Sequence, residues 1–319
     1  MNKPDLSICI ISCNQAQFIE HAVTSVLKQQ TGYSLELIIC DDNSADNTEQ
    51  IISTLLAGTA IPFKFIRKES QAGPLHNGKD FFLLHAGGRY ICWMDADDYW
   101  NYPAKVETQL KFLEQNPDYA GCFHDAEIKS LIHIQKENSH QLKTQTHGKW
   151  KFYSQFNHYS EDYFPWHALQ RQIIPTASLI VRNKELHGFY ERYKDINLSV
   201  SWALHLEFIK NSRFRYFNEP WSVYLDHKDG LSKKVNLLTF KLNNIKILEQ
   251  LLTDSYYKTI IKDVYKAIAQ EYYHLLHTRE AQELPRKVFN TYCSLYKKWM
   301  KRAVEEEITS FKELNKSRQ

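Results

Sequence analysis

Long apolar runs are missing from these 319 residues. None approaches the roughly 18 residues that a membrane-spanning helix needs, and the amino terminus carries no signal pattern, so a soluble, cytoplasmic chain is expected. Paired cysteines are missing too. The six cysteines include no Cys-x-x-Cys, with Cys9, Cys40 and Cys92 inside apolar runs and Cys13 at the end of one, so neither zinc nor disulfides are expected. A surplus of one charge is also lacking. Forty basic against 37 acidic residues leave a formal +3, too little for a protein that binds nucleic-acid phosphates over a broad face. Finally, no Gly-x-Gly-x-x-Gly follows the first apolar run, where Asn14-Gln15-Ala16-Gln17 stands instead; this argues against a nicotinamide-dependent oxidoreductase. Internal repeats and low-complexity tracts are absent. The length suits one large α/β domain with a helical appendage.

What is present begins with alternation. Leu6 to Asn14 reads as a strand and feeds an amphipathic stretch, 18–30, whose apolar face is Phe18, Ile19, Ala22, Val23, Val26 and Leu27. Leu35 to Ser44 repeats the pattern before a helix over 45–56, where Asp46 and Thr48 supply cap chemistry. A third strand, 63–67, leads through Gly73-Pro74 to a helix over 77–85 and then to the run Ile91 to Tyr99. Four such alternations predict a largely parallel sheet, and ligands of such sheets bind outside the carboxyl ends of the strands. Asn14, Asp41, Asp42 and Asp95 to Asp98 therefore converge on one edge.

Asp95-Ala96-Asp97-Asp98 places three carboxylates at the end of an apolar strand. Two like charges about 4 Å apart repel by roughly 4 kcal/mol at an effective dielectric near 20. A cation or proton uptake relieves that repulsion, and hard oxygen ligands suit Mg²⁺ or Mn²⁺. A solvated acidic turn that starts the next helix is the other reading.

Ser7 to Asn14, Asp41 to Thr48, Gly73 to Asn77 and Asp95 to Asp98, taken in this order and spacing, resemble a family 2 glycosyltransferase of the GT-A fold. The resemblance covers residues 5 to about 230. It implies a Rossmann-like mixed α/β sheet that binds a nucleotide sugar, flanked by helices, and a metal-dependent inverting transfer. It also implies roles. Ser12, Cys13, Asn14, Asp41, Asp42, Asp95 and Ala96 would hold the donor, with His76 and Asn77 near its diphosphate, where the family often has Arg-Asn. Asp97, Asp98 and His227 would serve Mn²⁺ or Mg²⁺, without deciding which carboxylate touches the ion. His124, Asp125, Thr176, Ser178 and Trp202 would face the acceptor, with structural roles equally open for His124, Thr176 and Ser178.

Two departures from the family pattern bear on mechanism. Where the family carries a general-base Asp before Trp, this chain reads Ser201-Trp202. A serine has no base of its own, and Asp195 or Glu207 is then a candidate substitute; general-base help is typically worth about 10²–10⁴-fold. The later Tyr-Arg-x-His reads Tyr224-Leu225-Asp226-His227.

The remaining elements are a helix over 104–116, a strand over 119–128, a polar hairpin or loop over 129–147, an aromatic-rich stretch over 150–166, a strand over 173–183, a short strand over 214–217, and helices beyond Ser232. The expected division is a transferase domain over 1–232, with a donor half to 100 and an acceptor half beyond, and a helical extension over 233–319. Within that extension, residues 286–302 mix lysines and arginines with aromatics, which fits a membrane surface, a face packed on its own domain, or a homo-oligomer. The expected activity is sugar transfer from a nucleotide diphosphate, with UDP favoured, to a surface glycan or lipid-linked glycan. The alternative is an inactive nucleotide-sugar-binding subunit, and no nucleic-acid partner is expected.

Overall fold

The computed structural model describes all residues except 1–2, 72–82, 132–143, 147, 158, 171–173, 187, 197 and 317–319. It divides into two compact units, Met1–Phe164 with Gln172–His187 and Glu207–Lys228, and Pro165–Arg171 with Gly188–Leu206 and Asp229–Gln319.

The first unit is built on one mixed sheet. Strands β1 (Leu6–Ser12), β2 (Leu35–Asp41), β3 (Phe63–Arg67) and β4 (Tyr90–Asp95) run parallel, with β1 between β2 and β4. The sheet then turns antiparallel. β9 (Ile180–Arg182) joins β4 to β6 (Tyr119–Leu131), and β6 pairs parallel with β10 (Arg213–Asp226), whose outer partner is β5 (Tyr99–Trp100). Among the described residues of the polar stretch, β7 (Thr144–Thr146) folds back on β6, so a hairpin forms there. β8 (Asp162–Tyr163) pairs with β10.

β1 and β2 are buried over most of their length because helices cover the sheet, which is why both read as continuous apolar runs. Helices α1 (Ile19–Leu27), α2 (Thr48–Leu56) and α3 (Lys105–Gln115) start one to three residues inside their expected bounds; α1 and α3 also stop one to three residues early, whereas α2 ends at Leu56 as expected. They bury Ala22, Val23 and Val26, Ile52 and Leu56, and Val106, Leu110 and Leu113 respectively. The helix expected over 77–85 lies mostly outside the described residues, and only Leu83–His85 is helical among those described.

Two expectations are corrected. The strand expected over 173–183 is a 3-10 turn, Thr176–Ser178, followed by β9, because Pro175 has no amide hydrogen and its carbonyl is taken by Ser178 N at 2.9 Å and Ser178 Oγ at 2.7 Å. The short strand expected over 214–217 extends to Asp226 as β10, with register shifts around Pro220.

Lys105, at the first turn of α3, is fully buried, with no hydrogen-bond partner for its ammonium among the described residues; the ammonium sits 4.1 Å from the centre of the Trp100 ring. Burial lowers its pKa to about 8.

In the second unit, helix α4 (Val200–Phe208) begins and α5 (Leu237–Leu251), α6 (Ile261–Leu276) and α7 (Arg286–Lys316) follow. α6 packs against α7, and Ile268 of α6 and Trp299 and Ala303 of α7 are buried. The aromatic side of 286–302 is largely used in this packing, with Trp299 5.5 Å from Tyr265 and Tyr292 6.2 Å from Tyr272. Among the described residues, no helix is long and apolar enough to cross a membrane. Among the described residues no cysteine forms a disulfide.

Candidate active site

Three parallel strands end side by side, and their loops are stitched together by side chains. Asp41, fully buried at the end of β2, accepts from Ser44 N at 2.8 Å and from the Ser44 hydroxyl. The Ser44 hydroxyl in turn accepts from Asn14 N at 2.8 Å, and Asn14 Oδ1 accepts from Ala45 N at 2.8 Å. Gln15 N donates to Thr48 Oγ1 at 3.1 Å and Ala16 N to Asp46 Oδ2 at 3.0 Å. Both Asn14 (φ 54°) and Asn43 (φ 55°) sit in the left-handed region, which asparagine tolerates better than most residues. The loop after β1 is therefore held open against the loop after β2, with Asp42 N donating to Ser12 O at 2.8 Å. Ser12 Oγ is buried without a hydrogen-bond partner among the described residues. Cys13 Sγ lies 3.7 Å from Asp42 O.

Arg67 adds a group for which no role was expected. From the end of β3 it donates to Ser44 O at 2.9 Å and pairs with Glu49. A charged residue at a parallel strand's carboxyl end was the available signal.

The acidic turn sits beside this pair of loops. Ala96 N donates to Ile11 O at 2.9 Å, which ties the turn to β1, and Asp98 N closes it on Asp95 O at 3.0 Å. Asp97 Oδ2 lies 2.9 Å from His227 Nε2, and Phe18 packs on that imidazole with ring centres 4.6 Å apart. Asp98 is buried, with Oδ1 unpartnered among the described residues; burial, then the charges of Asp97 and Asp95, push its carboxyl well above the usual range. Asp95 keeps access to solvent, yet desolvation on its protein side and the Asp97 charge raise its pKa to about 7.

Among the described residues no three ligand side chains converge on one point. The residues nonetheless fit a Mg²⁺ or Mn²⁺ ion that takes one or two carboxylates and completes its shell with substrate phosphates and water. The unpartnered Asp98 oxygen and the raised carboxyls are the observations that fit it.

On the other side of the sheet's centre, His124 is buried, with Nδ1 2.7 Å from Asp125 O, Nε2 unpartnered among the described residues and the Trp221 ring centre 5.3 Å away. Asp125 Oδ1 accepts from Ala126 N at 2.8 Å and Ser154 N at 3.1 Å. The Ser178 hydroxyl is buried and committed to Pro175 O, as described above, while Thr176 opens the same turn.

The second unit holds Ser201 in the first turn of α4, Trp202, whose Nε1 donates to Ala168 O at 2.8 Å, and an exposed Asp195. Glu207 is buried and paired with Lys210. His76 and Asn77 lie outside the described residues.

Comparison with known proteins places this arrangement. An uncharacterised protein of Mycobacterium bovis is 29% identical over 229 residues, 71% of this chain and 60% of that protein. The chain thus spans less than two thirds of the length of the relatives it matches over most of its own. The Escherichia coli UDP-Glc:alpha-D-GlcNAc-diphosphoundecaprenol beta-1,3-glucosyltransferase WfaP is 37% identical over 109 residues, 34% of this chain and 41% of that protein. Among solved structures, Staphylococcus aureus TarS 1-349 in complex with UDP-GlcNAc superposes with a TM-score of 0.63 at 14% identity, over 96% of this chain and 83% of that one. The mannosyltransferase PcManGT of Pyrobaculum calidifontis, in complex with GDP-Man and Mn²⁺, gives 0.51 at 14% identity, over 98% and 88%. These likenesses establish a GT-A fold. Because residues 7–170, more than half of the chain, match the model of glycosyl transferase family 2, the chain belongs to that family.

Proposed function

We propose that this protein is an inverting glycosyltransferase that moves a sugar from a UDP-sugar, with glucose the first candidate, to a lipid-linked diphosphate glycan. The observation that carries the reading is the acidic turn. Asp95, Asp97 and Asp98 crowd beside the two stitched loops, and Asp97 meets His227. The name of the Escherichia coli relative supports the choice of donor and acceptor.

In this reading Asp41, Asp42 and the backbone of Ser12 to Asn14 bind the nucleoside, and Asp95 takes the ribose. Asp97 and Asp98 would hold Mn²⁺ or Mg²⁺, which when bound would offset the negative charge of the leaving diphosphate. His227, braced by Phe18, orients Asp97. The acceptor hydroxyl attacks the anomeric carbon from the face opposite the leaving group, and its proton passes to a base. Ser201 stands where that base is expected, which favours one second reading, a donor-binding subunit of low activity. Asp195, exposed, is the freer of the two substitute carboxylates, since Glu207 is tied to Lys210.

The test is a turnover assay with Mn²⁺, UDP-glucose and α-D-GlcNAc diphosphate bearing an undecyl tail. UDP release that depends on the acceptor, with a β-linked product by NMR, is expected. Tight Mn²⁺-dependent UDP binding with no transfer from any UDP-sugar would instead support the binding subunit.

A further inference from the structure

A chain of buried polar groups runs through the second unit, and the donor site makes no use of it. Lys241 of α5 and Glu271 of α6 are both buried, with the ammonium 3.1 Å from each carboxylate oxygen. Asn244 Nδ2 donates to Glu271 Oε2 at 3.1 Å, and Asn244 Oδ1 accepts from the Ser199 hydroxyl at 3.0 Å. Its neighbour Asn243 grips Leu198 by both backbone groups. Asn243 Oδ1 accepts from Leu198 N at 3.2 Å, and Nδ2 donates to Leu198 O at 2.7 Å.

What these groups hold is the entry to α4. Ser199 has φ of 56°, in the left-handed region, and helix α4 starts at the next residue. A non-glycine residue persists there only where its surroundings over-determine it. An ordinary helix start needs one capping side chain. This one has two asparagines, and behind them an ion pair whose removal from water is itself unfavourable. Ser201 and Trp202 come two and three residues after the strained position, so the direction of their side chains follows from how Ser199 is turned.

We propose that Asn243 and Asn244, the latter braced by the Lys241–Glu271 pair, are positioning residues that hold the left-handed turn at Ser199 and thereby aim Ser201 and Trp202 at the acceptor. The aiming rests on the acceptor-side reading of this segment given above, whereas the holding does not. Asn243 and Asn244 touch no reacting atom.

The experiment uses the full chain with Asn243→Ala, the milder Asn243→Asp, and Asn243→Ala combined with Ser199→Gly. Glycine adopts positive φ without a clamp, so it should restore what the asparagine supplied. Amide hydrogen exchange of residues 198–204 reads the turn directly. It should rise in Asn243→Ala, rise less in Asn243→Asp, which keeps the acceptor for Leu198 N, and return towards wild type in the double variant. Exchange that does not respond, or that the glycine does not restore, overturns the proposal. The same variants are then assayed with UDP-glucose and the undecyl GlcNAc diphosphate. Acceptor kcat/KM should fall about tenfold, a modest share of the roughly hundredfold that a 1 Å misplacement can cost, and recover with Ser199→Gly, while UDP affinity by calorimetry stays unchanged. Rescue in exchange without any effect on transfer would overturn the aiming role and the acceptor-side reading together, leaving the holding role intact.

Discussion

His227 Nε2 meets Asp97 Oδ2 at 2.9 Å although 130 residues separate them in the chain. The contact joins the residue just after β10 to the turn after β4, at the same sheet edge where β1 and β2 present Ser12 and Asp41. His227 is almost fully enclosed, at 1% side-chain exposure against 18% for Asp97. The imidazole is thus the fixed partner and the carboxylate the accessible one.

That relationship predicts two separable effects. Asp97→Asn should remove most of the Mn²⁺-dependent part of UDP affinity, whereas His227→Ala should weaken Mn²⁺ binding by about 10–100-fold, as for other orienting partners. Calorimetry of UDP with and without Mn²⁺ reads both, and an unchanged Mn²⁺ dependence in Asp97→Asn would sink the assignment.

Ser201→Asp supplies a carboxylate at the position of the expected base. Transfer should rise, towards the roughly 10²–10⁴-fold typical of general-base help, with UDP affinity unaltered. A folded variant that binds UDP normally and gains nothing would point to Asp195 or another group as the base.

Lys105 gives stability a specific pH dependence. Its pKa is about 8 when buried in the fold and about 10.4 in an unfolded chain, so between these values the unfolded state binds more protons. Stability from this group therefore rises with pH across that window, by on the order of 3 kcal/mol in total. Thiols such as those of Cys92 and Cys122, raised to about 12, act in the opposite direction in the same range. The comparison with Lys105→Met isolates the lysine. Urea unfolding at pH 7.5 and about 10 should show the advantage of the methionine variant shrinking as pH rises, and a constant difference would contradict the buried-ammonium account.

Gly121→Ala tests the close approach of β6 to β9. An added Cβ would lie 2.7 Å from Ile180 O and 2.9 Å from Val181 Cγ1, and the first of these is backbone that cannot swing aside. A loss of about 1–3 kcal/mol is expected in urea unfolding, as for other overpacked sites. A loss below 0.5 kcal/mol would mean that the strands separate at little cost.

The donor half was legible because its signals are local. Apolar runs of strand length, each followed by a helical stripe, place Asn14, Asp41 and Asp95 at strand ends, and a parallel sheet gathers strand ends on one edge. Arg67 was less legible, since nothing in its own segment indicates that it would reach back to Ser44 and Glu49. Thr176 and Ser178 read as part of a strand because their neighbours are apolar. The structure has a turn, because the Pro175 carbonyl bonds within the segment.

By itself the sequence determined the alternating α/β order, the acidic turn and the family pattern, all of which depend on residues near one another in the chain. Only the tertiary structure decided that His227 meets Asp97, that Lys105 lies buried under Trp100, and that Asn243 and Asn244 hold the entry to the helix carrying Ser201. Each is a pairing across 5 to 130 residues whose geometry depends on how strands and helices pack. Periodicity tells which face of an element is buried. It does not tell which polar group will be found there with it.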